Sequence, residues 1–177
     1  MKNRTKTITA IGMLCALAYA AAAVGRVPLV LFLKYDPKDI IIAAGGFLFG
    51  PSASAAIALI VSLAELLSIS GTGLWGFIMN VISSCSFACT ASLLYRKRRT
   101  ASGAAAGLLC GWGCMALAML FWNYLVAPVY MGVPRQVVAE MLLPVFLPFN
   151  LIKGGLNAAV TMLLYKPLTA AQGRPRL

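Results

Sequence analysis

The chain has 177 residues, of which 61% are hydrophobic and 11% charged, and its formal net charge is +11. Soluble domains carry about 25% charged residues, so this composition excludes a water-soluble domain and indicates an integral membrane protein. The apolar runs are long and continuous and lack the alternation of a membrane β-barrel. The predicted fold class is therefore an all-α bundle of transmembrane helices.

The first apolar run covers residues 7–24 and follows a basic N-terminal segment. It predicts a transmembrane helix, although the small residues from Ala18 to Ala22 also resemble the cleavage site of a secretory signal. Gly12, Ala16 and Ala20 recur at four-residue spacing, which places them on one helix face and permits close helix contact. That face is compatible with packing inside this protein or with docking of another membrane subunit.

A polar loop at residues 25–39 follows, and it contains Lys34, Asp36, Lys38 and Asp39. Its charges alternate in sign, which favours local ion pairing. That pairing would give a structured external loop, and an ordinary solvated loop is the alternative that these residues leave open.

The next apolar stretch, residues 40–64, is interrupted only by Gly50, Pro51 and two serines. It is either one long helix or two helices meeting at the break, which gives five or six spans in total. With six spans, the basic loop 96–100 lies on the same side as the basic N- and C-terminal segments, as the positive-inside rule favours for the cytoplasm. We therefore predict two helices here and both termini in the cytoplasm. The six predicted spans are residues 7–24, 40–50, 52–69, 74–95, 104–126 and 145–165.

The residue types that several kinds of catalytic and metal sites require are scarce or absent in this chain. It has no histidine and four acidic residues, so general-base, carboxylate-pair and histidine-metal sites are disfavoured. It lacks the G-x-x-x-x-G-K-[ST] loop that a nucleotide-hydrolysing site requires. The five cysteines fall in predicted spans and are expected to pack as small apolar residues. We expect no enzyme activity, no cofactor and no metal site, and the basic residues at span ends indicate membrane orientation rather than nucleic-acid binding.

Polar side chains inside the predicted spans are the candidate site residues. Asn150 and Lys153 lie three positions apart, hence on one helix face. A lysine within a membrane costs about 2.5–3.5 kcal/mol and is retained where it faces a ligand or protein interior, or where it snorkels to the headgroups. Asn80 and Asn123 add two carboxamides, which in isolation would be explained by interhelical hydrogen bonds. With aromatic neighbours such as Tyr124, these groups suit a flat, largely neutral ligand.

Four segments together resemble the riboflavin-binding S components of energy-coupling factor (ECF) transporters. The most specific is Leu-Pro-Phe-Asn-Leu-Ile-Lys-Gly at residues 147–154, and the others are residues 33–40, 49–51 and 123–130. The resemblance implies six helices, with one flavin bound near the outer face beneath the first external loop.

The resemblance also implies roles for individual residues. Asn123, Asn150 and Lys153 would contact the flavin, and the loop from Lys34 to Asp39 would close over it. The face formed by Gly12, Ala16 and Ala20 would dock on a transmembrane coupling subunit, and two cytoplasmic ATPases would supply the ATP hydrolysis that this chain lacks. The location implied is the plasma membrane of a prokaryote. The candidate substrate-binding set is Lys34, Asp36, Asp39, Asn80, Asn123, Tyr124, Asn150 and Lys153.

Two other functions remain compatible with the residues. One is an S component for another vitamin. The other is a proton-coupled permease that works alone through Glu65, although the position of Glu65 near the outer end of the third span suggests an interfacial residue.

Overall fold

The computed structural model describes residues 2–30, 33–69 and 73–171, and it confirms the predicted helical fold class. A short π-helical segment, Leu142–Phe146, joins α6 to α7 without a break, so these elements form one rod and the helical rods number six. The elements are α1 Lys2–Val24, β1 Val27–Val30, β2 Leu33–Tyr35, α2 Lys38–Phe49, α3 Pro51–Ser68, α4 Gly73–Lys97, α5 Ala101–Met131, α6 Arg135–Met141 and α7 Leu147–Ala171.

Within the described ranges, five helices are long and apolar enough to cross a membrane. The remaining helix, α2, has 12 residues. At 1.5 Å per residue it is about 18 Å long, which is shorter than the roughly 30 Å of a bilayer core. It is also the most completely buried helix, because other helices surround it rather than lipid.

The apolar stretch after the external loop forms two helices that meet at Gly50. This residue has φ 99° and ψ 173°, a conformation that is nearly exclusive to glycine. Pro51 then opens α3, where its fixed φ suits the first helical position. The chain therefore turns back on itself between α2 and α3.

The predicted external loop is a β-hairpin followed by the first turn of α2. The strands β1 and β2 are antiparallel, with Val27 opposite Tyr35. The predicted loop boundary at residue 39 is wrong, because α2 begins at Lys38, directly after Pro37. Lys38 and Asp39 are therefore helical and buried rather than part of a solvated loop.

The last two rods extend beyond their predicted spans. The fifth helix covers Ala101–Met131 rather than 104–126, and the last rod starts at Arg135 rather than at residue 145. The connection that was expected to be a long loop is thus mostly helical.

The tightest helix pair is α4 with α5, and glycines make its close approach possible. A Cβ atom at Gly107 would lie 2.7 Å from the backbone oxygen of Ala91, and one at Gly111 would lie 2.4 Å from that of Phe87. Since a side chain cannot fit there, the two backbones pack directly against each other, as small residues allow in membrane helices.

Side-chain contacts establish which helix ends lie together. Tyr19 donates a hydrogen bond of 2.8 Å to Ser68, so the end of α1 lies beside the end of α3. Tyr95 and Tyr165 make an edge-to-face ring contact, so α4 and α7 finish at the opposite end. We call this second end, which carries Arg96–Arg99, the basic end. The start of α1 and the end of α7 both lie at the basic end of the bundle.

The first helix is an integral part of this bundle. Ala18 and Ala22, from the segment that resembles a cleavage site, are fully buried. They pack α1 against α2 and α3.

Candidate functional site

Charged side chains are concentrated at the end of the bundle opposite the basic end. They are three cations and three carboxylates, so their formal charges cancel. We call this set the charge cluster: Arg26, Asp36, Lys38, Asp39, Glu65 and Lys153.

One half of the charge cluster is centred on Glu65 of α3. Lys38 is 0% exposed, Glu65 is 1% exposed, and the Nζ atom of Lys38 lies 2.7 and 2.8 Å from the two Glu65 oxygens. Arg26 donates to Glu65 Oε2 at 3.1 Å and Asn80 donates to the same oxygen at 2.7 Å. An unpaired buried carboxylate would be strongly destabilising, so these donors explain how Glu65 is retained. Glu65 is thus enclosed by groups from α2, α4 and the segment before β1, and its side chain does not reach the surface of the bundle.

The other half of the charge cluster is centred on Asp39 and Lys153. The Nζ atom of Lys153 lies 3.3 Å from Asp39 Oδ2 and 3.3 Å from the Ser83 hydroxyl. Asp39 also accepts hydrogen bonds from Ser84 and, at 3.3 Å, from Asn157. Lys153 is only 6% exposed. It faces the protein interior rather than snorkelling to the headgroups.

The hairpin is joined to this second group through Tyr35. Its hydroxyl donates to Asn157 Oδ1 at 3.0 Å. Burial and the nearby carboxylates of Asp39 and Asp36 raise the pKa of the Tyr35 phenol. Tyr35 therefore stays protonated at neutral pH and remains a donor, which holds the hairpin against α7.

The two predicted asparagines of α5 and α7 are both buried. Each donates to the backbone carbonyl four residues earlier, Asn123 to Met119 and Asn150 to Phe146, both at 2.7 Å. These bonds fix the carboxamide planes. Among the described residues nothing donates to the side-chain oxygen of Asn150, so this acceptor is available to a ligand, whereas that of Asn123 accepts a long bond of 3.4 Å from Tyr130.

Two of the predicted site residues, Tyr124 and Lys34, are not part of the group formed by the charge cluster and the buried asparagines. Tyr124 is 38% exposed, and its ring lies under the guanidinium of Arg135 at 5.6 Å. The reason is helix geometry, because consecutive residues point about 100° apart and Asn123 already takes the inward direction. The side chain of Lys34 lies outside the described residues.

Sequence reasoning missed several residues of the site, namely Tyr35, Lys38, Ser83, Ser84 and Asn157. One of them had a usable signal, since Asn157 follows Lys153 by four positions and must share its helix face. The serines had none, because serine is common in membrane helices. Lys38 was assigned to the external loop.

The small residues of α1 are exposed. Gly12, Ala16 and Ala20 face away from the bundle, whereas Cys15 and Ala18 on the other face are buried. Packing inside this protein therefore does not account for the exposed small residues.

Taken together, a bundle of membrane helices that encloses a neutral set of ionic and carboxamide groups near one end defines a substrate-binding membrane protein. Residues 6–165 match the family described as "ECF transporter, substrate-specific component", and the chain belongs to this family.

Two curated relatives are riboflavin transporters by name. The chain is 27% identical over 175 residues to the riboflavin transporter RibU of Staphylococcus aureus (strain TCH60), covering 94% of this chain and 92% of the relative. It is 27% identical over 144 residues to the riboflavin transporter FmnP of Bacillus subtilis (strain 168), covering 76% of this chain and 75% of the relative.

Solved structures agree with this assignment. The S component of a bacterial ECF transporter superposes with a TM-score of 0.81 at 28% identity, covering 97% of this chain and 99% of the other. An S component for biotin superposes with a TM-score of 0.57 at 18% identity, covering 93% of each chain, which is evidence for the fold alone. The protein is therefore a membrane-embedded, substrate-binding transport component and not an enzyme, as the sequence resemblance implied.

Proposed function

We propose that this protein captures riboflavin for an ATP-driven ECF importer and that the charge cluster and the two buried asparagines form the polar part of its binding site. The observation that carries the proposal is the internal neutrality of the charge cluster. Three cations face three carboxylates, so no net charge remains to select an anionic or cationic substrate.

Riboflavin matches the groups that are available. Its ring edge carries a donor flanked by carbonyl acceptors, and a carboxamide such as that of Asn150 offers the complementary pair. Lys153 and the serine hydroxyls of α4 can donate to carbonyl or ribityl oxygens. The buried ring of Phe149, one position before Asn150, belongs to an apolar cluster that includes Phe146 and can cover the flat ring system.

The hairpin provides a means of closing the site. Arg26, directly before β1, donates to Glu65, and Tyr35 of β2 donates to Asn157, so polar contacts attach the hairpin region to both α3 and α7. We propose that these contacts open and re-form as the ligand enters from the outside.

Transport requires partners, because this chain lacks a nucleotide-binding loop. We propose that a transmembrane coupling subunit docks on the exposed face of Gly12, Ala16 and Ala20 and that two cytoplasmic ATPases drive the cycle. The small residues would let a partner helix approach closely.

We further propose that the protein resides in the plasma membrane of a prokaryote with both termini in the cytoplasm. The basic end, Arg96–Arg99, supports this orientation, because short loops rich in lysine and arginine remain on the cytoplasmic side.

Ligand binding by the purified protein tests the proposal. We expect the protein to copurify with a yellow ligand of the mass of riboflavin and, after the ligand is removed, to quench the fluorescence of added riboflavin at one site per chain. Biotin serves as the control ligand, because an S component for biotin shares the fold. A protein that leaves riboflavin fluorescence unchanged, or that is stabilised by biotin instead, contradicts the proposal.

The structure gives no support to a permease that works through Glu65. The carboxylate is held by Lys38, Arg26 and Asn80, and a proton carrier needs a carboxyl group that can exchange its proton with water.

A further inference from the structure

A second cavity lies at the basic end of the bundle, where α2 ends, α3 begins and α4 ends. Its volume is about 280 Å³, close to the lower limit of roughly 300 Å³ for small-molecule pockets. The length of α2, about 18 Å, separates it from Lys38 and Asp39 at the candidate riboflavin site. Its polar lining residues are Ser52, Ser92, Tyr95, Arg96 and Arg99.

The charged side chains that line this cavity are all positive. Arg96 and Arg99 line it, and the described ion pairs do not include either of them. Three of the four acidic residues of the chain belong to the charge cluster at the other end, and the fourth, Glu140, lies on α6 at that same end. The described part of the chain thus offers no carboxylate to balance the two arginines.

The hydroxyl of Tyr95 is a further polar group of this cavity. Tyr95 is 3% exposed, and its ring is held by Phe47 at 4.5 Å and Tyr165 at 5.9 Å. No described residue hydrogen-bonds its hydroxyl, which is not among the enclosed polar atoms without a partner and is therefore open to the cavity. A ligand in the cavity would supply the missing acceptor.

The first turn of α3 adds further donors. Gly50, Pro51 and Ser52 line the cavity at the start of this helix, where the helix dipole is positive. The Gly50 N–H donates to the Gly46 carbonyl and proline has no N–H, so the backbone donor that these residues offer to a ligand is the N–H of Ser52. Arginine side chains, a hydroxyl and a helix N-terminus are all groups that bind phosphate oxygens.

We propose that this cavity binds a phosphate group, either as the headgroup of an anionic phospholipid or as free phosphate. The lipid headgroup fits the location, because Arg96 lies in the last turn of the membrane-spanning helix α4 and Arg99 lies two residues beyond its end, at the level where headgroups lie. The site is distinct from the riboflavin site and does not depend on which vitamin binds there.

Native mass spectrometry of the purified full-length chain tests the proposal. The protein is measured with phosphatidylglycerol, with phosphatidylcholine, and with inorganic phosphate in neutral detergent. The variants are Tyr95→Phe, which removes only the hydroxyl, and Arg96→Gln with Arg99→Gln. The matched control is Arg98→Gln, because Arg98 carries the same charge in the same loop but does not line the cavity.

We expect one anion to be retained at least tenfold more strongly than phosphatidylcholine. We also expect the Arg96→Gln, Arg99→Gln double variant to lose this preference, and Tyr95→Phe to weaken it several-fold. Retention of phosphatidylglycerol that inorganic phosphate does not displace identifies the lipid as the source, and binding of inorganic phosphate without lipid identifies free phosphate.

Two results would overturn the proposal. One is equal retention of the anionic and the zwitterionic lipid together with no binding of phosphate. The other is a loss of anion preference in Arg98→Gln as large as that in the Arg96→Gln, Arg99→Gln double variant, which would mean that only the diffuse charge of the loop attracts anions. Thermal unfolding of each variant verifies that it is folded.

Discussion

At the scale of single residues, the most consequential feature is the buried contact between Lys38 and Glu65. Both side chains are almost inaccessible to solvent, and the ammonium group is shared between the two carboxylate oxygens. Burying two charges is costly, and a buried pair often contributes little net stability compared with apolar residues of the same size. Removing one partner, by contrast, leaves an uncompensated charge.

This asymmetry gives a testable prediction. Lys38→Met should lower the free energy of unfolding by about 3–5 kcal/mol, and Lys38→Met with Glu65→Leu should recover much of that loss. Thermal unfolding in detergent measures the difference, with the exposed Lys97→Met as the control. A double variant that is less stable than Lys38→Met alone would contradict the prediction.

Lys153 carries the second prediction at this scale. We expect Lys153→Ala to weaken riboflavin binding at least tenfold, about 1.4 kcal/mol, because its ammonium group is the cation nearest to Asn150 on α7. Fluorescence quenching measures the affinity, and Lys97→Ala at the basic end is the control.

The effect on the ligand must be separated from the effect on Asp39, which loses its ion-pair partner in Lys153→Ala. The variant Lys153→Ala with Asp39→Asn removes that unpaired charge. A loss of affinity that persists in this double variant belongs to the ligand contact, whereas unchanged affinity in Lys153→Ala removes the residue from the site.

At the scale of secondary-structure elements, the break between α2 and α3 determines the layout. Because Gly50 reverses the chain after only 12 residues of α2, α3 runs back along α2 and brings Glu65 beside Lys38. A single continuous helix over this stretch would place Glu65 far from Lys38.

The conformation of Gly50 predicts the cost of changing it. No atom lies within 4 Å of the position that a Cβ would take, so Gly50→Ala introduces backbone strain without a clash. We expect a loss of roughly 1–3 kcal/mol in thermal unfolding. Gly113→Ala on α5 is the matched control, since its Cβ also meets nothing within 4 Å but its backbone is helical, and it should be neutral or stabilising. Equal behaviour of the two variants would contradict this explanation.

At the scale of the whole molecule, the proposed ligand site and the proposed docking face occupy different surfaces. The charge cluster lies inside one end of the bundle, whereas Gly12, Ala16 and Ala20 lie on the outer face of α1. The two functions should therefore be separable by substitution.

We expect Gly12→Leu to leave riboflavin binding by the purified protein unchanged and to abolish riboflavin uptake by the assembled transporter. The leucine would keep a partner helix from approaching closely, while a Cβ at Gly12 meets nothing within this chain. Gly113→Leu, at another exposed position on α5, is the control. Uptake in cells that express the coupling subunit and ATPases measures the effect, and normal uptake with Gly12→Leu would exclude this face as the docking surface.

Much of this architecture follows from local features of the sequence. The apolar runs required helices, because a backbone in lipid must satisfy its hydrogen bonds internally. Gly50 and Pro51 marked a reversal, because their conformational preferences act within a few residues. Asn150 and Lys153 were recognisable as site candidates, because polar groups in a membrane helix are costly enough to require a reason.

The long-range pairing of charged and polar side chains was decided by the tertiary structure alone. Lys38 and Glu65 are 27 positions apart, and Asp39 and Asn157 are 118 apart, and no local pattern predicts such partners. The orientation of Tyr124 was also decided by the tertiary structure. Its neighbour Asn123 faces the interior of the bundle, so Tyr124 faces outward and is exposed. The sequence by itself determined the class of fold and which residue types had to be accounted for. Which polar side chains contact each other was decided only by the packing of α2 between α3, α4 and α7. The physical reason is that a buried charge needs a partner, and here that partner comes from another helix.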